Sequence, residues 1–281
     1  MIQVENLSFS YTQQPFLKDV SFSVGKGEIF GFLGPSGAGK STMQKILLGL
    51  IKDYTGHASI AGMECRKADS TFYERIGVDF EFPALYEKLT ARQNLLFSAS
   101  LYHKKGMDVD TLLEMAGLSY SADQKVSTFS KGMKSRLGFI RALVHDPDVL
   151  FLDEPTSGLD PVHVQKMKEM ILAQKQKGKT IVLTTHQMMD AQQLCDSVAF
   201  IDQGKILAIE SPEALIHAYS NHTVTYTWNM EKQYSATIPM ETMKHDLLLK
   251  KLITENRLLS IHSNEPTLND IFIELMERNR P

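Results

Sequence analysis

An α/β fold with a parallel sheet at its centre is expected for this 281-residue chain from three observations. The runs "EIFGFLG", "VLFLDE" and "IVLTTH" are short and apolar and end in small or polar residues. Strands buried on both faces, with functional loops at their carboxyl ends, have this pattern. Helical periodicity separates the runs: the stripe Val164, Met167, Ile171 stops before Gly178 and is followed at once by the strand Ile181 to Thr185. Finally, 43% hydrophobic and 22% charged residues are ordinary for a globular protein able to bury a sizeable core in one large domain or two smaller ones.

The elements follow in order. From Met1 to about Gly27, short alternating runs (Ile2, Val4, then Phe16, Val20, Phe22, Val24) flank a polar "TQQ" break and read as an N-terminal antiparallel β subdomain. "EIFGFL" then opens the parallel sheet. Over about 85–143 the strand signal gives way to a helical insertion, in which Thr90 and Gln93 make a Thr-x-x-Gln capping box. Its last segment, "TFSKGMKSRLGFIRAL", puts Met133, Leu137 and Ile140 on one stripe, yet its first turn holds a glycine. Glycine there weakens a helix unless something must approach the backbone closely. From about Ser220 come "HTVTYTWNM", "QYSATI", a helical "ETMKHDLLLKKLITENR", a short "LLSIHS" and a last helix striped by Leu268, Ile271, Phe272 and Leu275. A main domain over 1–219 and a small C-terminal α+β domain over 220–281 are expected, the second below the size at which a domain is comfortably stable alone.

Bulk properties narrow the function. A net charge of -3 argues against a protein that coats nucleic acid, and no nucleic-acid partner is expected. The start "MIQVENLSFSY" has no basic or apolar leader, and no window approaches the roughly 18 apolar residues of a membrane span. Cys65 and Cys195 have no zinc-like spacing, so reduced thiols and a cytoplasmic location are expected.

Two motifs carry chemistry. "GPSGAGKST" (Gly34, Pro35, Ser36, Gly37, Ala38, Gly39, Lys40, Ser41, Thr42) matches the phosphate loop, between the strand "EIFGFL" and a helical "MQKILLGL". Its backbone N–H groups can wrap phosphates, Lys40 can reach the β- and γ-phosphates, and Ser41 can offer a hydroxyl to Mg²⁺. "VLFLDEP" puts Asp153 and Glu154 at the end of a buried strand, where carboxylates are expensive without a cation or a reaction. Asp153 suits Mg²⁺, and Glu154, pointing elsewhere, suits polarisation of an attacking water.

With these motifs in this order, the chain resembles the ATP-binding cassette (ABC) ATPases over roughly Met1 to Pro212. The resemblance implies a P-loop NTPase core that binds ATP with Mg²⁺. It further implies that Tyr11 stacks on adenine and that "FSKGM", Phe129 to Met133, replaces the signature Leu-Ser-Gly-Gly-Gln. Asp160 ends the "SGLD" loop beside the nucleotide, and His186 is the switch histidine. In this family the signature of one subunit closes over the γ-phosphate held by another, which implies a homodimer or a heterodimer with a related cassette. Ser130, Lys131, Gly132 and Met133 would then face a partner's ATP. Read alone, Ser130 is also a plain N-cap and Tyr11 also a core aromatic.

Glu81 stands where the family has a glutamine that senses Mg²⁺, and a carboxylate can ligate that ion through oxygen. "SKGM" and "EPTLNDIFIELM" resemble the single-cassette exporters of drugs, antibiotics or lipids. An integral membrane permease is therefore implied as a separate partner, holding the chain on the inner face of the membrane. "FPALY", Phe82 to Tyr86, offers apolar anchors for it, unless these residues are buried within the insertion. The second reading is a cassette ATPase acting on ribosomes or DNA. It lacks support because neither a second cassette with a charged linker nor a long coiled coil is present.

Overall fold

Strands β1 (Ile2–Phe9) and β2 (Leu17–Val24) pair antiparallel; their alternation turns Ile2, Val4, Val20 and Val24 inward, and an irregularity in the pairing between Val4 and Leu7 shifts the phase so that Leu7 is buried as well. Strand β3 (Ile29–Leu33) is buried at every position and feeds helix α1 (Lys40–Leu47) through residues 34–39. Next come β4 (Thr55–Ile60), β5 (Met63–Glu64), α2 (Ser70–Tyr73) and β6 (Ile76–Asp79). The insertion holds α3 (Ala91–Ala99), α4 (Val109–Met115) and α5 (Lys131–Arg141), and the expected capping box of Thr90 and Gln93 starts α3. Alternation then resumes with β7 (Val149–Asp153), α6 (Pro161–Gln176), β8 (Thr180–Thr185), α7 (Met188–Leu194), β9 (Ser197–Asp202) and β10 (Lys205–Glu210). The computed structural model describes every residue except Pro83, Met230, Glu231, Arg280 and Pro281.

One sheet has the order β2-β1-β4-β5, and a second has the order β10-β9-β3-β8-β7-β6. In the second, β9, β3, β8, β7 and β6 run parallel, so their carboxyl ends gather on one edge, while β10 returns antiparallel. Buried rings join the two sheets. Phe22 of β2 stacks on Phe30 at 5.2 Å between centroids and meets Phe32 edge-on at 5.1 Å. Between β9 and β10 the chain turns at Gln203 and Gly204, whose φ values are 46° and 76°. Gly204 N–H donates to Ala38 O at 2.9 Å, and Gly204 O accepts from Lys18 N–H at 2.8 Å. This hairpin is thereby joined to both β2 and the phosphate loop.

The chain divides into two compact units, Met1–Ser211 and Pro212–Pro281. The second contains α8 (Pro212–Tyr219), β11 (Thr223–Asn229), β12 (Gln233–Pro239), α9 (Leu247–Thr254), β13 (Leu258–Ser263) and α10 (Leu268–Arg278). Its sheet has the order β12-β11-β13, and Tyr226 of β11 packs with Leu249 and Leu252 of α9. The stripe Leu268, Ile271, Phe272, Leu275 is buried as its spacing predicts. "ETMKHDLLLKKLITENR" is not one helix: a short 3-10 turn over Met240–His245 ends at Asp246, which caps α9 by accepting from Leu249 N–H at 2.7 Å. An aspartate inside an apolar period competes for backbone donors and restarts the helix.

Candidate active site

The phosphate loop leaves the carboxyl end of β3. Gly34 lies so close to Ile201 O that a Cβ could not fit, and Gly39 adopts φ 118° at the N-cap of α1. Lys40 folds back over the loop, donating to Gly34 O at 2.6 Å and Pro35 O at 3.0 Å. Burial lowers its pKa, and the carboxylates of Glu154 and Asp153 act against that shift, so both acids lie within electrostatic reach of the ammonium. Tyr11 is 58% exposed, which removes the core-aromatic alternative. Its hydroxyl pairs with Thr42 Oγ1 at 3.1 Å, and its ring packs edge-on against Phe9 and Phe16 beside the loop.

Asp153 ends β7 and Glu154 follows it, and the neighbouring strand β8 holds both. Thr184 donates from Oγ1 to Asp153 Oδ1. Glu154 has φ 49°, a left-handed value that a β-strand would not give it and that turns its side chain out of the strand's alternation. Glu154 N–H bonds Thr184 O at 2.9 Å, which fixes that bend. Its carboxylate then accepts from Thr185 Oγ1 at 3.1 Å and from His186 N–H at 3.0 Å, with His186 Nδ1 at 2.7 Å. The predicted base and the predicted histidine are therefore in direct contact, within electrostatic reach of Lys40.

The opening of α5 belongs to a second cluster. Ser130 is the N-cap: its Oγ accepts from Met133 N–H at 3.2 Å, and the hydroxyl keeps a hydrogen to donate outward. Lys131 extends to Gly158, where its ammonium occupies the place a Cβ would take. Gly132 lies against the ring of His163, on α6. Asp160 caps α6, accepting from Val162 and His163 N–H groups, both at 3.1 Å, and pairing with His163 Nδ1 at 2.5 Å. These bonds hold the Asp160 carboxyl below the usual range.

Glu81 is exposed and stands between the clusters, where Ser157 Oγ donates to its Oε1 at 3.5 Å. A cavity of about 570 Å³ brings Glu81 together with Asp153, Glu154, Lys131 and Asp79. Asp79 is 4% exposed, and its Oδ1 has no partner among the described residues. Phe82 and Tyr86 are 81% and 54% exposed, so the buried alternative for them fails; Pro83 of the same stretch lies outside the described residues.

A hard divalent cation fits the donor set around the loop. Ser41, exposed at the start of α1, supplies a hydroxyl, and Asp153 supplies a carboxylate oriented by Thr184. Among the described residues, no group of three or more His, Cys, Asp or Glu side chains forms a cage that would bind a metal by protein alone. Thr184, Thr185, His163 and Asp79 escaped the sequence reading. "VLTTH" held a signal for the threonines, since hydroxyls at a buried strand end must find partners.

A family model described as ABC transporter matches residues 17–157. A fluoroquinolones export ATP-binding protein of Mycobacterium tuberculosis is 44% identical over 282 residues, spanning 99% of this chain and 94% of the relative. The bacitracin transport ATP-binding protein BcrA of Bacillus licheniformis is 36% identical, with coverages of 98% and 97%. Among solved structures, an ATP-binding subunit of an ABC transporter superposes with TM-score 0.70 at 32% identity, covering 78% of this chain and 92% of that one. A dimeric ATP-binding cassette in a post-hydrolysis state, bound to ADP and Pi, gives TM-score 0.68 at 26% identity, covering 75% and 98%. Likeness of this extent over the whole chain, joined to a phosphate loop facing a clasped glutamate, places the chain in the ABC transporter family as an ATP-binding, ATP-hydrolysing subunit.

Proposed function

We propose that two cassettes close face to face around two ATP molecules and drive a separate membrane permease that exports its cargo. Lys40 offsets charge on the β- and γ-phosphates, the amides of residues 34–42 wrap them, and Tyr11 stacks on adenine. Ser130, Lys131, Gly132 and Met133 of the opposing cassette close over the γ-phosphate, with Asp160 at the edge of the interface. Ser41 and Asp153 would hold Mg²⁺, with Glu81 close by, and the bound ion would offset negative charge on the phosphates. Glu154 accepts a proton from water as the water oxygen bonds to the γ-phosphorus and the bond to the β–γ bridging oxygen breaks, leaving ADP and phosphate. His186 moves from Glu154 to the γ-phosphate and orients it.

The observation that carries this reading is the clasp on Glu154, whose carboxylate is held by Thr185 and His186 within electrostatic reach of Lys40. Export is supported by the names of the fluoroquinolone and bacitracin relatives. A membrane partner is supported by the export and transport named for those relatives; among the described residues, no helix is long and apolar enough to cross a bilayer. Phe82 and Tyr86 give such a partner exposed apolar anchors. The chain then acts at the cytoplasmic face of the membrane.

Glu154→Gln tests the reading. It should slow hydrolysis on the order of a hundred-fold or more, the scale of a positioned general base. ATP and Mg²⁺ should then convert the purified variant to a dimer in size-exclusion chromatography, and Ser130→Arg should abolish that dimer while ATP binding persists. A monomeric Glu154→Gln protein in saturating ATP would exclude the sandwich.

A further inference from the structure

Gly132 opens α5 among residues read as facing another cassette's nucleotide, so its missing side chain invites the explanation that a phosphate must come close. Contacts within the chain offer a different one. An ideal Cβ on Gly132 would lie 2.9 Å from Cδ2, 3.1 Å from Cγ and 3.3 Å from Nε2 of His163. Neither party can yield easily. The imidazole is a rigid plane, and its Nδ1 is tied at 2.5 Å to Asp160, whose carboxylate also accepts the backbone N–H groups of Val162 and His163. One residue earlier in α5, Lys131 lays its ammonium against Gly158 of the loop that Asp160 ends. Two consecutive residues at the start of α5 are thus keyed into residues 158–163.

We propose that His163 is a positioning residue of the ATPase. Oriented by Asp160, its ring fills the space that Gly132 leaves open and fixes the start of α5 against the Ser157 to Asp160 loop. The loop and the Ser130 hydroxyl therefore move as one body when cassettes close. Glycine is required at position 132 by this histidine in its own chain. The inference rests on the reading that Ser130 to Met133 meets a partner's γ-phosphate, but its test does not reuse the dimer that tests that reading.

Steady-state ATP turnover of the full chain, with kcat and KM separated, is compared for Gly132→Ala, His163→Ala, His163→Asn and the Gly132→Ala, His163→Ala double variant. Gly132→Ala drives a methyl into the imidazole and should lower kcat about ten-fold or more, since overpacking of one methyl is resisted on that scale. KM for ATP, set mainly by the chain's own phosphate loop, should hold. The double variant should recover to the level of His163→Ala alone, because removing the ring makes room for the methyl. His163→Asn keeps an N–H donor for Asp160 and should regain more than half of what His163→Ala loses.

A double variant as slow as Gly132→Ala would overturn the proposal, since something other than His163, such as a partner's phosphate, would then exclude the methyl. Full activity of Gly132→Ala would overturn it equally. If Gly132→Ala does not fold, the histidine variants decide: equal kcat for His163→Asn, His163→Ala and wild type, or no gain of Asn over Ala, removes the positioning role. Failure of Glu154→Gln to dimerise would count against the sandwich and leave these intrachain comparisons readable.

Discussion

Asp79 ends β6 with its carboxyl buried and one oxygen unpartnered among the described residues. Burial pushes its pKa from 3.8 up to about 7, against the pull of Arg141 and with a smaller push from Asp153. The folded chain keeps this proton up to about pH 7, whereas the unfolded chain loses it near 3.8. The associated stability is therefore complete below 3.8 and is lost as pH rises through about 7. Asp79→Asn keeps the neutral shape at every pH. We expect it to be more stable than wild type at about pH 8, on the order of a few kcal/mol, with a clearly smaller gain at about pH 5. Chemical denaturation at both pH values measures this, and an equal gain at the two would contradict it. Nothing local in the sequence marks Asp79 or says that its carboxyl is covered. By contrast, Lys40, Asp153 and Glu154 were legible because their surroundings are local: glycine spacing makes a loop, and an apolar run ending in acids makes a strand edge. Gly132 and His163 meet only through folding, across a separation in sequence that no spacing rule covers.

Helices α4 and α5 are joined by a buried cation. Arg136, 7% exposed, donates from its guanidinium to Ala116 O at the carboxyl end of α4 and from Nε to Gly132 O at 3.3 Å in its own helix. Carbonyls at a helix end lack intrahelical partners and carry partial negative charge, so a buried arginine satisfies a group that would otherwise be stranded. Arg136→Met keeps much of the packing volume and removes the donors. It should cost on the order of 2 kcal/mol of stability, seen as a lower unfolding midpoint. Nucleotide binding to the phosphate loop should be retained, because Arg136 contacts the insertion and not the loop; loss of binding in a folded variant would mean that the insertion supports the loop directly. At this scale the sequence reading recovered α3 through its capping box and α10 through its stripe, since both signals lie within a few residues. It overran at Met240–His245, where the apolar spacing continues through Asp246 but that side chain caps the next helix. It named the "SKGM" turn correctly as a helix start, yet periodicity has no means of reporting what an oppositely placed helix presses against it.

Across the unit Met1–Ser211, the two sheets share rings from β2 and β3, and the parallel strands deliver Gly34, Asp153 and His186 to one edge. That convergence was expected from the alternation of strands and helices, because parallel strands force their following loops to the same end. The order β9-β3-β8-β7-β6 was not, since pairing between strands distant in sequence leaves no local mark. The turn at Gly204 has a further meaning at this scale. Its amide hydrogen ends on Ala38 O, inside the phosphate loop, and its carbonyl is held by β2. For that hydrogen to exchange with solvent, the loop must release it, so its exchange lifetime clocks the opening of the loop without any label placed at the site. In deuterated water, saturating ATP should lengthen the Gly204 lifetime by about ten-fold or more, while amides of α10 stay unchanged. An unaltered lifetime would mean that the phosphate loop is as rigid empty as it is full.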